Sequence, residues 1–208
     1  MSHTAGIRQA QKQKTRQALL DAALGLLEEQ SLSSLGLREV TRAVGVAPTA
    51  FYRHFRDTAD LGVALVEETL GSLHGLIAAT LADTGDSEVR IGTTVDLIAA
   101  LVHTHPAHVR FIARERHGGV QPVRAAIAEQ LRLFTREVAA AFAGEPRSEG
   151  WSEDDLLMLA GVYVDHMVMT ASVLLEAAED GPQASERARD MARRQMRLVS
   201  LGRLHWLD

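Results

Sequence analysis

The chain has 208 residues, 46% of them hydrophobic and 24% charged, the balance of a folded protein of one or two small domains rather than a disordered one. It has no cysteine, which excludes disulfide scaffolds, thiolate metal sites and cysteine nucleophiles, and its two lysines, Lys12 and Lys14, leave none in the body for a P-loop or a Schiff base. The net charge of -5 is unevenly spread: residues 1–56 carry eight basic side chains against four acidic ones, and the remaining 152 carry 14 against 23, so a basic head precedes an acidic body.

In chain order, Lys12, Lys14 and Arg16 are expected to form a basic arm ahead of the first helix, free to add phosphate or minor-groove contacts. No apolar stretch follows them as in a secretory leader, and no uninterrupted apolar run approaches the roughly 18–20 residues of a membrane span. A cytoplasmic location without a membrane is the resulting expectation. Leu20, Ala23, Leu24 and Leu27 then follow the i, i+3, i+4, i+7 rhythm of one buried helical stripe. Similar rhythms recur over Leu61–Leu81, Val89–Val102, Ala125–Phe142, Leu156–Leu175 and Met191–Leu204. Turn-rich segments separate them at Ser31–Gly36, Asp83–Asp86, His117–Gly119, Gly144–Gly150 and Asp180–Pro182. Sustained two-residue alternation is missing, so the expected fold is all-α. A division near Asp57 gives a head of three short elements (1–56) and a body of five or six longer helices (57–208).

The most informative stretch is Leu37–Phe55, LREVTRAVGVAPTAFYRHF. Leu37–Val44 reads as a short helix with Leu37, Val40 and Val44 on one face, Gly36 at its N-cap and Glu39 as the acid of a capping box. Gly45 follows at the position where the backbone needs positive φ, and Pro48 opens the next helix where its missing N–H costs nothing. Helix, glycine turn, helix is the helix-turn-helix signature. On the second helix Phe51 and Phe55 are spaced as core anchors. Thr49, Ala50, Tyr52, Arg53 and His54 project elsewhere and offer donors suited to phosphates and base edges. Arg38 on the preceding helix and Lys12 and Lys14 complete the candidate DNA-binding set.

The segment GLREVTRAVGVAPTAFYRHFRDTADLG closely resembles the DNA-binding region of the TetR family of transcriptional regulators, over roughly residues 14–65. The resemblance implies a homodimer on a palindromic operator, a three-helix DNA-binding head, and a larger helical domain that binds an effector. By position it assigns Thr49 and Ala50 to the major groove and Tyr52 and His54 to a phosphate clamp, with Arg53 reading a base edge. Two departures stand out: RDTAD replaces the lysine common after the recognition helix, leaving Arg56 for that contact, and Ala47 replaces the usual capping serine.

In the body, helices apolar on more than one face can line a cavity as well as a core. The candidate lining residues are Val66, Leu70, Leu73, Ile98, Leu101, Phe111, Leu131, Phe134, Leu159, Tyr163, Met167 and Thr170, with His166 beside them. Phe111 and the Arg114–Arg116 segment are expected between pocket and head. Ala160, Gly161, Val164, Val168 and Ala171 on one helix, and Met191, Leu198, Leu201 and Gly202 on the next, are expected to pair in a dimer interface. His103, His105 and His108 are interrupted by Pro106 and have no carboxylate among them, so no metal site is expected, and no catalytic motif such as GxSxG or HExxH occurs.

With FIARERHGG and VRAAIAEQLRLF included, the chain is similar to the FabR and DesT branch of the same family, which regulates unsaturated fatty-acid synthesis and desaturation. That similarity implies a repressor whose effector is a long-chain acyl-CoA, unsaturated chains favouring DNA binding and saturated ones opposing it. Arg90, Arg110, Arg114, Arg116, Arg124, Arg132 and Arg136 are then the candidate cations for the CoA phosphates, and no cofactor is expected beside the effector. The alternatives are a multidrug-type repressor with a wider pocket, or a helical acyl-thioester enzyme or carrier.

Overall fold

The computed structural model describes residues 2–82 and 87–207. Every regular element among them is helical. The turn expected at Asp83–Asp86 lies outside the described residues.

Helix α1 (Ser2–Leu26) turns Leu19, Leu20, Ala23 and Leu24 inward, each nearly or fully buried. It begins far earlier than the basic-arm expectation allowed: Lys12, Lys14 and Arg16 are helical residues, not a free arm. Between Gly6 and Leu26 only Gly25 interrupts a run rich in Ala, Gln, Arg, Lys and Leu, so the helix propagates back from its buried end at little cost. Helix α2 (Leu37–Val44) starts as expected, the Glu39 carboxylate accepting the Gly36 N–H at 2.9 Å. It ends at Gly45 with φ 74° and ψ 28°, the left-handed conformation that a Cβ penalises. Helix α3 (Pro48–Phe51) is a single α turn prolonged to Phe55 by i→i−3 and i→i−4 bonds. Phe51 and Phe55 are buried and join the α1 stripe.

In the body, α4 (Thr58–Gly71) is capped by Asp57, whose side chain accepts the Asp60 N–H at 2.7 Å. The apolar rhythm expected to run from Leu61 to Leu81 breaks at Ser72, whose hydroxyl donates to the Thr69 carbonyl, and α5 (His74–Ala82) follows. After α6 (Ser87–Thr104), Pro106 cannot continue that helix but suits the first turn of α7 (Pro106–Glu115), an element the sequence rhythms passed over. Helices α8 (Gln121–Ala143), α9 (Glu153–Glu179) and α10 (Pro182–Leu204) complete the chain. The described body thus has seven helices, one or two more than expected.

Helix α8 packs on α4 and α9, and α10 on α6 and α9. One apolar cluster runs from the α1 stripe through α4 and α7 to α8 and α9, so head and body share a core. Gly62 of α4 lies where they meet: a Cβ there would fall 2.4 Å from Leu32 and 2.8 Å from Val123 side-chain carbons.

Two stretches, Thr58–Leu81 and Glu153–Glu179, are long and apolar enough to cross a membrane by length and composition, contrary to the expectation drawn from uninterrupted runs. The first is the broken pair α4 and α5, and the second is α9. Of the α9 residues expected at a dimer interface, Ala160 and Val164 point into the core and Gly161, Val168 and Ala171 are half-buried, whereas the outward face of α9 carries Met158, Val162, Met169 and Val173, each 43–47% exposed. On α10, Met191, Leu198, Leu201 and Gly202, the other residues expected at that interface, are exposed. Beside this face, Trp151 and Trp206 have ring centroids 6.0 Å apart, and the Trp206 indole N–H donates to Asp155.

Candidate nucleic-acid interface and effector cavity

Residues 48–55 split by chemistry. Phe51 is fully buried and Phe55 is 3% exposed, and together they seat α3 on the head. Thr49, Tyr52 and Arg53 are exposed, Tyr52 to 62%, while Ala50 and His54 are half-buried. The Tyr52 ring meets Phe51 edge-on, which holds the phenol outward. On the N-terminal side, Arg16 of α1 lies over the Phe55 ring, 5.2 Å from its centroid. Burial first, then the charges of Lys12, Arg16 and Arg53, hold the His54 imidazole below its ordinary pKa, so the basic face of α1 adjoins the end of α3. Helix formation therefore unites the two parts of the candidate set: Lys12 and Arg53 both act on His54 through their charge, as one basic array. Lys14 and Arg38 are exposed elsewhere on α1 and α2. Arg16 belongs to this array as well, and its i+3 and i+4 neighbours in the Leu19/Leu20 stripe are the signal that could have placed it. Arg56, the stand-in for the common lysine, is engaged by Asp60: its backbone N–H and Nη2 donate to that carboxylate at 3.0 and 2.8 Å.

In the body, α4–α10 surround a cavity of about 220 Å³ with predominantly apolar walls. Among the expected lining residues, Leu70, Leu73, Ile98, Leu101, Leu131, Phe134, Tyr163 and Met167 face it. The other six lie elsewhere. Val66 and Phe111 fill the core shared with the head, and Leu159 packs under the α9–α10 surface near Trp206. His166 hydrogen-bonds to the backbone of Ala192 on α10, and Thr170 is 3% exposed away from the cavity wall. Arg114 turns toward the head instead. Sequence rhythm did not single out the rest of the wall, including Ile77, Thr94, Ile112, Phe142, Met196 and Arg203. The wall as a whole comes from seven helices, and its convergence depends on packing that no local pattern encodes.

Of the seven candidate CoA-binding arginines, Arg90 lines the cavity and Arg136 is exposed on α8. Arg110 pairs with Glu28 and Glu179, Arg116 with Asp165, and Arg132 with Glu129, while Arg124 donates to the Gly118 carbonyl. Arg114 donates to the Leu27 and Gln30 carbonyls at 2.8 and 2.7 Å and to Glu28 at 3.3 Å, closing the end of α1. Its neighbour Glu115, 1% exposed, accepts the Leu32 N–H at 2.9 Å. Since Val109, Ile112 and Ala113 line the cavity, one short helix carries both a cavity wall and the fasteners of α1.

His105 and His108 stack edge-on at 5.4 Å, and among the described residues no three His, Asp or Glu side chains converge as a metal site would need.

Residues 19–65 match the bacterial regulatory proteins of the tetR family. Over the whole chain, the structure is similar to regulatory protein TetR from Rhodobacter sphaeroides, with 24% identity and a TM-score of 0.62 across 86% of this chain and 96% of that one. It is similar to the regulator FadR from Bacillus subtilis in complex with stearoyl-CoA, at 13% identity and TM-score 0.68, covering 85% and 96% of the two chains. AibR in complex with isovaleryl coenzyme A and operator DNA aligns at 16% identity and TM-score 0.65, over 86% and 95%. At these identities the likeness is one of fold.

Proposed function

We propose that this chain, which carries a tetR-family N-terminal domain on a larger helical body, is a cytoplasmic transcriptional repressor that senses long-chain acyl-CoA. The observation carrying this reading is α7, which walls an apolar cavity on one side and fastens the DNA-binding head on the other. Tyr52, Arg53, His54 and Lys12 supply phosphate contacts, and Thr49 and Ala50 approach base edges. The outward apolar faces of α9 and α10 pair two copies about a two-fold axis, which sets two recognition helices about 34–36 Å apart on a palindromic operator. The cavity's apolar walls suit an acyl chain, and two proteins of this fold were crystallised with acyl-CoA ligands.

The similarity to FabR and DesT adds the finer reading: unsaturated and saturated chains act oppositely, and the target genes serve unsaturated fatty-acid synthesis or desaturation. A ligand moves a two-state equilibrium only by its differential affinity for the states, and a full reversal from 1:99 to 99:1 takes about 5.5 kcal/mol. A bent and a straight chain differ in where they press on the cavity wall, and α7 is the wall that communicates with α1. Fluorescence anisotropy on a duplex selected by the protein from random sequence tests the proposal. The expected result is salt-sensitive binding of two protomers to an inverted repeat, tightened by oleoyl-CoA and weakened by stearoyl-CoA. Retention of affinity at all acyl-CoA concentrations would remove the effector assignment, and a failure to select any duplex would remove the repressor.

A further inference from the structure

The cavity has unlike ends. Along α6 its wall runs from Ser87 and Arg90 through Thr94 to Leu101, 14 residue steps or about 21 Å of helix, so it is elongated rather than round. At the Leu101 end it meets α7 through Val109, Ile112 and Ala113. At the Arg90 end four polar side chains gather from α6, α9 and α10: Arg90, Tyr163, Ser200 and Arg203.

The chemistry of that end is not closed. Arg203 is 7% exposed and stacks over Phe142, 4.5 Å from the ring centroid. Its Nη1 donates to Glu145 at 2.8 Å and its Nη2 to Ser148, yet its buried Nε has no acceptor. Glu145 also takes Arg90, at 3.0 Å on its other oxygen, so one carboxylate bridges two guanidinium groups. The Tyr163 hydroxyl, hydrogen-bonded to Ser200, lies in the same wall, and burial pushes its pKa up, so at neutral pH it is a phenol able to donate. A buried donor without an acceptor is costly unless something supplies the missing oxygen. Outward, the cluster continues to Ser87, which accepts from the exposed Arg147.

We infer that the Arg90–Tyr163–Ser200–Arg203 end of the cavity receives the oxygen-bearing head of the acyl ligand, so that the chain lies along α6 with its tail against α7. This deepens the acyl-sensor reading and rests on it. A carboxylate or a thioester carbonyl provides the acceptor that Arg203 Nε lacks. A free acid ends there, whereas a CoA thioester passes on toward Ser87 and Arg147. The orientation also says how chain shape is read: the part that differs between a bent and a straight acyl group reaches the helix that fastens α1.

Calorimetric titration of the full-length protein with three ligands sharing one tail, laurate, lauroyl-CoA and dodecyltrimethylammonium, tests the inference, each kept below its micellar concentration. At least one of the two oxygen-headed ligands is expected to bind roughly 10- to 100-fold more tightly than the cation. Laurate in that position assigns the free acid and lauroyl-CoA the thioester. Tyr163→Phe, which removes one hydroxyl and keeps the ring on Phe142, is expected to weaken the preferred ligand roughly 3- to 10-fold and leave the cation unchanged. Arg203→Lys adds a stronger perturbation, but the ligand series does not depend on its folding. Equal binding of the cation, or a Tyr163→Phe effect equal for all three, would overturn the head-group assignment while leaving an acyl-binding cavity. Binding by none of the three would overturn the effector reading itself.

Discussion

Replacing Arg114 with Met tests the link between cavity and head. The last turn of α1 has no basic residue of its own, and the carbonyls that follow it are met by the Arg114 guanidinium. Two of those bonds, at 2.8 and 2.7 Å, are short and charge-assisted, and the third at 3.3 Å is weak. Hydrogen bonds to charged groups contribute about 1.5–3 kcal/mol each, and since Arg114 is only half-buried the lower figure applies to both strong ones. Methionine fills the aliphatic stem but leaves these carbonyls to water, a loss of about 3 kcal/mol. For a chain of this length 1 kcal/mol corresponds to about 2–4 °C, so the expected fall in Tm is about 6–12 °C. Glu115 still holds Leu32, so the head remains folded and docked more loosely. The same variant is therefore expected to bind operator but respond less to acyl-CoA. Differential scanning calorimetry and ligand titration of the DNA complex measure the two effects. A melting point within about 2 °C of the parent, together with an undiminished ligand response, would refute the role given to Arg114.

Three further outcomes are expected. Gly62→Ala forces a methyl group onto Leu32 and Val123, and the overpacking cost of about 1–3 kcal/mol exceeds the helix-propensity gain of under about 1 kcal/mol, lowering the urea midpoint; a midpoint at or above the parent would show that these side chains yield. Arg53→Ala is expected to leave thermal stability unchanged and weaken DNA binding. The slope of log K against log salt drops by about one if Arg53 meets a phosphate, and stays fixed with loss of specificity if it reads a base. His54, His108 and His166 are all held below the ordinary histidine pKa, burial being the leading cause in each. The unfolded chain therefore takes up these protons first, and stability falls as pH drops through about 6.5 toward the lower folded values. Tm should decline between pH 7.5 and pH 5.5 (about the histidine window), and a flat or rising profile would contradict the burial of these rings.

The sequence was most legible where one local segment carries the whole signal. Gly36, Glu39, Gly45 and Pro48 encode the start of α2, its left-handed end and the start of α3 through their own backbone chemistry, without help from the rest of the chain. Phe51 and Phe55 could be read as anchors because two aromatics four residues apart on a short helix have one inward direction. Where the outcome depends on what lies opposite, the pattern failed. Ala160 and Val164 have the small size of an interface stripe, yet that side packs into the core shared with α8, leaving the larger Met158 and Val162 outside. Arg114 sits in a stretch resembling effector-proximal residues, but its partners are carbonyls more than eighty positions away. Arg203 was invisible for the same reason: near the chain's end in a polar amphipathic helix, it reads as solvated until Glu145, Ser148 and Phe142 enclose it.

The paired indoles near the chain's end have a practical corollary. Trp151 and Trp206 are the chain's two tryptophans, and both border a shallow depression whose floor includes Arg203. Arg203 thus borders the cavity on one side and both indoles of the protein on the other. Emission excited at the red edge of the spectrum consequently reports on a single locus, and an acid or thioester seated on Arg203 would announce itself optically, with no label attached and no background from distant reporters.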